Sequence, residues 1–205
     1  SHGVIVVAPQ MYDADNNPFG KPDITEEAVA SAAVIADLGA LDVDGVVGAG
    51  VSFDGVVYGV GHSRGGKVLW KVLSDDGSAL DGVVLLDPVD GTQGGGRVVD
   101  DVVDFAAPAL IVGTGLGEQD DGGFFSQPCA PDGDSHDEFA GDAPAGAVHV
   151  VAADAGHNDL LDDAQPGCGV CDVCLEGSDP GAVRATFAGL VVPFGVGGGS
   201  PADVI

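Results

Sequence analysis

Residues 58–67, YGVGHSRGGK, decide how this chain folds. They follow an apolar run at Val56–Val60, precede an apolar helical pattern at Val68–Leu73, and contain Gly61-His62-Ser63-Arg64-Gly65, a G-x-S-x-G pattern. The arrangement predicts a strand, a sharp turn and a helix, with the turn lifting the Ser63 hydroxyl above the end of a sheet. Glycines are expected to flank such a turn because a Cβ there collides with neighbouring backbone. Ser63 is therefore the candidate nucleophile. Five residues of such common types also match by chance, so the reading rests on their context.

The order of residues downstream of Ser63 supplies that context. A serine hydroxyl is a weak nucleophile at neutral pH; it needs an imidazole to take its proton and a carboxylate to orient the imidazole. In the α/β-hydrolase fold the three arrive as Ser, then Asp or Glu, then His, each just past a strand. After Ser63 the chain offers one helix and the apolar strand Gly82–Leu86, which ends in Asp87-Pro88-Val89-Asp90-Gly91. A second strand, Ala109–Gly113, runs into Thr114-Gly115-Leu116-Gly117-Glu118. A third, Ala147–Ala152, leads to Asp154-Ala155-Gly156-His157. His157 stands where the general base belongs. Asp87, Asp90 and Glu118 all stand just past strand ends, and Asp87 is favoured as the acid because it terminates its strand and precedes a stiffening proline. Its competing reading is a turn former, and turn chemistry before Gly91 is the preferred reading of Asp90.

Composition points the same way. With 205 residues, 45% of them hydrophobic, the chain can bury one substantial core, and strands alternating with helices imply a mostly parallel sheet covered on both faces. No apolar run approaches the roughly 18 residues of a membrane helix. Against 33 acidic residues stand 6 basic ones, a net charge of −27. Such a field repels phosphate backbones and anionic lipid, which excludes nucleic acid as a partner.

Along the chain, Val4–Ala8 reads as a strand, Pro22–Leu38 as a helix opened by Asp23 or Thr25, and Val43–Asp54 as a Gly/Val-rich connection. Gly117–Gly146 reads as a long loop beside His157, and Ala182–Val192 as a final helix. Residues 1–194 form a single domain in this reading, and Gly195–Ile205 a flexible tail. Cys168, Cys171 and Cys174 are spaced C-x-x-C-x-x-C, with Cys129 distant. That set is compatible with zinc or an iron–sulfur cluster, with a disulfide such as Cys129–Cys168, or with free thiols. His62 is expected to pack under the turn, His149 to lie in the core or on a sheet face, and His136 to be a solvated loop residue rather than a cation ligand. The Arg64 side chain is expected to brace the turn through a salt bridge.

Several of these segments together resemble a known family. GHSRGGK (61–67), LDPVDG (86–91), IVGTGLG (111–117), CAPDG (129–133) followed by His136 and Phe139, GHNDLLDD (156–163) and the opening SHGVIVVAPQMY (1–12) are similar to chlorophyllase. The likeness runs from about residue 1 to 168. It implies an α/β-hydrolase fold, a Ser63–His157–Asp87 triad, no cofactor, and hydrolysis of a small-molecule ester, chlorophyll, to chlorophyllide and phytol. It further implies a chloroplast location, although no targeting segment is visible, and a structural bridge for Cys129 and Cys168 in place of a metal. The rival readings are a general carboxylesterase of the same fold and an inactive or binding module.

An oxyanion hole needs two backbone N–H donors. The residue after the nucleophile, Arg64, supplies one; the other comes from a loop after an earlier strand, and His2-Gly3 precedes its strand instead of following one. The chain also begins with Ser. It therefore reads as an N-terminally truncated piece of the fold, lacking its first strands.

The acidic residues are spread over loops and strand ends, the pattern of a protein whose self-repulsion is relieved by counterions. Its unfolding free energy is accordingly expected to rise between low and molar salt. Denaturation by urea at several NaCl concentrations checks this, and a midpoint that does not move contradicts it.

Overall fold

Apolar runs of five or six residues separated by helices leave a parallel sheet as the way to satisfy every strand's backbone while covering both faces. The computed structural model describes residues 3–11, 23–40, 45, 48, 50, 53–91, 96–99, 103–120, 127–161 and 174–198. Its sheet has four parallel strands in the order β1 (Tyr58–His62), β2 (Gly82–Leu86), β3 (Ala109–Thr114) and β4 (Val148–Ala152). The registers pair His62 with Leu86, Leu86 with Val112, and Thr114 with Ala152, so the carboxyl ends of all four strands lie at one rim. Chain order equals spatial order here, and Ser63, Asp87 and His157 follow β1, β2 and β4 onto that rim.

The two central strands are buried on both faces, which is why they read as unbroken runs of Val, Leu and Ile. One face packs Val83, Leu85 and Ile111 against Trp70, Leu73 and Phe139. The other packs Val84, Leu110 and Val112 against Phe187 and Phe194. The first face is covered by α1 (Ile24–Asp37), α2 (Arg64–Asp75) and α3 (His136–Asp142), the second by α4 (Pro180–Val196).

Helix starts follow local chemistry. Asp23 caps α1 in a capping box with Glu26, and Asp179 caps α4 through the Ala182 N–H at 3.0 Å, with Pro180 opening the helix. The α4 helix continues past the expected Val192 to Val196, because Phe194 is fully buried against the sheet and meets the Tyr58 ring edge-on at 6.2 Å. Gly195 and Val196 are therefore helical instead of belonging to a tail, and residues 199–205 lie outside the described residues.

Two other expectations change. Val4–Ala8 forms no strand: β-branched side chains alone do not hold an extended segment without a pairing neighbour, and Val6 is 83% exposed. The long loop from Gly117 contains α3, started by the Ser135 hydroxyl accepting from the Asp137 N–H and pinned by the buried Phe139. Most of the connection at 43–54 lies outside the described residues. Among the described residues no helix is long and apolar enough to cross a membrane.

Asp90 is no simple turn former. It is fully buried and accepts from the Val98 N–H at 3.0 Å and the Val99 N–H at 3.2 Å. The equally buried Lys67 ammonium lies 3.2 Å from the same carboxylate and also donates to the Asp90 and Gly91 carbonyls. This pair locks α2 to the segment after β2. Asp90→Ala leaves a buried ammonium without its counter-charge, so a loss of about 3–5 kcal/mol in unfolding free energy is expected. Chemical denaturation of the purified variant measures it, and a loss under about 1 kcal/mol, the scale of an exposed ion pair, contradicts the assignment.

Candidate active site

The turn between β1 and α2 places Ser63 at φ 53° and ψ −123°, a conformation that costs a non-glycine residue energy and survives only where the surroundings impose it. They do so here. The Ser63 N–H donates to the Leu86 carbonyl at 3.0 Å, and the Ser63 carbonyl accepts from Gly66 at 3.0 Å. A Cβ on Gly61 would stand 2.4 Å from the Gly65 carbonyl oxygen, and one on Gly66 would stand 2.8 Å from the Pro88 side chain. Gly65 differs from its expected role, since a Cβ there would meet nothing within 4 Å. The close approaches fall on Gly61 and Gly66, so one glycine of the five-residue pattern is required for space and the other is not.

Asp87 follows β2 with φ 42° and is fully buried. Its Oδ1 accepts from the Thr114 N–H at 2.9 Å and its Oδ2 from the Thr114 hydroxyl at 2.7 Å. His157 follows β4, with Nδ1 2.6 Å from Asp87 Oδ2 and Nε2 3.0 Å from Ser63 Oγ. Three residues separated by up to 94 positions thus form one hydrogen-bonded line. Burial pushes the Asp87 carboxyl up, but the hydrogen bond and charge of His157 together with the two Thr114 donors outweigh it and hold the group below its ordinary range. An ionised carboxylate only accepts, so His157 Nδ1 carries the proton and Nε2 offers its lone pair to the Ser63 hydroxyl. Such a line can take a proton from the serine as it attacks.

The His157 segment is held from outside. The Asp159 carboxylate accepts from the Gly156 N–H at 2.7 Å and the Gly177 N–H at 2.8 Å, joining the two sides of this turn. Cys174 forms a disulfide with Cys129, and its sulfur lies 3.0 Å from the Asn158 amide nitrogen. The expected Cys129–Cys168 pairing is thereby corrected: Cys129 is taken by Cys174, the cysteine brought against the His157 turn, while Cys168 and Cys171 lie outside the described residues.

The remaining candidates resolve individually. Glu118 accepts from the Ser135 hydroxyl at 2.6 Å and is not the partner of His157. Arg64 braces the turn as expected, its guanidinium 2.8 Å from the buried Glu27 of α1. Its own N–H opens α2, where the helix dipole is positive. His136 is 3% exposed instead of solvated, and His149 lies on a sheet face, 3.0 Å from it. His62 does pack at the turn. Its Nε2 donates to the His157 carbonyl at 2.9 Å, and the two rings are 4.7 Å apart. Sequence reasoning missed Thr114, Asp159 and Lys67, whose roles carry no local pattern.

Comparison with known proteins decides the family. The family model "Chlorophyllase" matches residues 1–196. The chain belongs to the chlorophyllase family. Over 95% of its length it is 35% identical to Chlorophyllase-2 and 31% identical to Chlorophyllase-1 of Arabidopsis thaliana, covering 64% and 63% of those proteins. It is likewise 31% identical to "Chlorophyllase-1, chloroplastic" of Citrus unshiu, of which it covers 60%. The chain therefore spans somewhat less than two thirds of the length of these relatives. Its parallel sheet, with helices on both faces, is that of the α/β-hydrolase superfamily to which chlorophyllases belong.

His62 carries a pH signature of this chlorophyllase-type turn. Burial, with His157 adding to it, lowers its pKa from 6.5 to about 4. Between these values the unfolded chain takes up a proton that the folded protein refuses, so stability falls as pH drops through this window. Asp87 acts lower: its stabilisation is present above the unfolded carboxyl value of about 3.9 and is lost as pH falls further. Urea denaturation of wild type and His62→Gln between pH 7 and pH 4.5 is expected to show a steeper loss in the wild type, by up to about 1.4 kcal/mol per pH unit, the value of one proton. Parallel curves contradict it.

Proposed function

We propose that this protein is a serine carboxylic-ester hydrolase that cleaves the phytyl ester of chlorophyll, releasing chlorophyllide and phytol. The observation that carries the reading is the unbroken line of hydrogen bonds from the Asp87 carboxylate through His157 to the Ser63 hydroxyl in a chain of this family. In the reaction His157 Nε2 takes the Ser63 proton as Oγ bonds to the ester carbonyl carbon. The carbonyl oxygen gains the negative charge, and the Arg64 N–H at the start of α2 is one of the donors that hold it. The protonated imidazole, steadied by Asp87, passes its proton to the departing phytyl oxygen. Water, deprotonated by His157, then attacks the acyl-serine; the acyl–Oγ bond breaks, the imidazolium returns the proton to Ser63 Oγ, and the chlorophyllide acid leaves and ionises.

Asp87 is well suited to its role because its lone pairs are already engaged by Thr114, which fixes the carboxylate against rotation. His62 orients His157 through its carbonyl and is a positioning residue. The chloroplast is the proposed location, by analogy with the relative from Citrus unshiu that bears that word in its name.

The test uses protein extended to the full length of the relatives. Ser63→Ala is expected to lower chlorophyll hydrolysis by at least about a thousandfold with an unchanged circular dichroism spectrum. Retained turnover rejects the nucleophile. Running wild type on chlorophyll and on a short-chain nitrophenyl ester reports the substrate: turnover of the small ester alone replaces this reading with a general esterase, and failure of Ser63 to react with a fluorophosphonate replaces it with an inactive module.

A further inference from the structure

On the face of the sheet covered by α1, α2 and α3, away from the Ser63 line, two histidines and an aspartate converge. His136 and Asp137 open α3, and His149 lies on the edge strand β4, level with Ile111 of β3. The His136 ring is buried, and it occupies the space that Gly113 leaves by having no side chain: a Cβ there would come 2.2 Å from the ring. The ring is thereby fixed in orientation. His136 Nδ1 lies 3.0 Å from His149 Nε2, and Asp137 Oδ1 lies 3.3 Å from the first and 3.8 Å from the second.

These three distances join the same three atoms, and a triangle with sides of 3.0, 3.3 and 3.8 Å has a circumradius of about 2.0 Å. Zinc binds imidazole nitrogen and carboxylate oxygen at about 2.0–2.2 Å in a tetrahedron. One face of such a tetrahedron has a circumradius of about 2.0 Å as well. A single point therefore lies at bonding distance from all three ligand atoms. A lone shared proton can join only two of them.

We propose that His136, Asp137 and His149 bind a divalent transition-metal ion, zinc foremost, with the fourth position open to solvent. Two imidazoles and one carboxylate favour zinc, nickel or copper over the all-oxygen preferences of magnesium and calcium. The ion clasps the short helix α3 to the exposed edge of the sheet. It acts on stability, because an ion that binds only the folded chain shifts unfolding by mass action. The proposal stands independently of the ester-hydrolase reading, since none of its ligands belongs to the Ser63 line.

Titration calorimetry with zinc chloride tests it on the whole chain, after chelator treatment and alkylation of free thiols, in about 0.5 M NaCl so that the general acidic field is screened. One zinc per chain is expected, with a rise in melting temperature. His149→Gln and Asp137→Asn alter exposed side chains, so both proteins are expected to fold; each should bind at least about tenfold more weakly and lose the zinc-dependent rise. Undiminished binding by a protein carrying both substitutions overturns the site, as does an absence of zinc binding by the wild type.

Discussion

The structure depends on a serine held in a conformation that serine avoids. Ser63 sits at positive φ because β1 must stop and α2 must start within one residue, and because Gly61 and Gly66 let the two elements approach to a distance that side chains would forbid. The Ser63 backbone is then tied to β2 through Leu86, and the first turn of α2 is tied by the Lys67–Asp90 and Arg64–Glu27 pairs. Strain at one residue persists because every neighbour is fixed more firmly than the turn is strained.

Four of the six basic residues of this acidic chain are spent on that scaffold. Arg64 reaches α1, Lys67 the segment after β2, and Arg97 the Asp134 carboxylate at 2.5 Å; Arg184 donates to the Leu161 carbonyl at 2.8 Å, just beyond the His157 turn. With 33 acids and 6 bases, a basic side chain is a scarce source of attraction. Each of these four joins segments that lie far apart in sequence around the same rim. Among the described residues most of the other acids lie at the surface, where solvent and counterions screen them.

Support for the line from Asp87 to Ser63 is layered in the same manner. Thr114 holds the carboxylate, His62 holds the backbone of the imidazole residue, and Asp159 with the Cys129–Cys174 bridge holds the turn that carries it. None of these groups need touch a substrate. Their effect is to keep the three hydrogen-bonded side chains in register, as a preorganised site requires.

The four paired strands, the elbow and the order of Ser63, Asp87 and His157 were legible in the sequence because they are local, whereas Val4–Ala8, strand-like by the same local signal, forms no strand. Asp23 was similarly readable as a helix start, since a cap bonds within three residues of itself. Asp90, His136 and the partner of Cys129 were not. A turn aspartate and a buried counter-ion look alike until Lys67 arrives from another element, and a loop histidine looks solvated until Gly113 opens a space for it. Likewise, a cysteine's partner is set by which turn the chain folds against. The sequence by itself determined the elements and the candidate chemistry; tertiary structure alone decided which polar groups are buried together, because that depends on long-range contacts that no short window of residues contains.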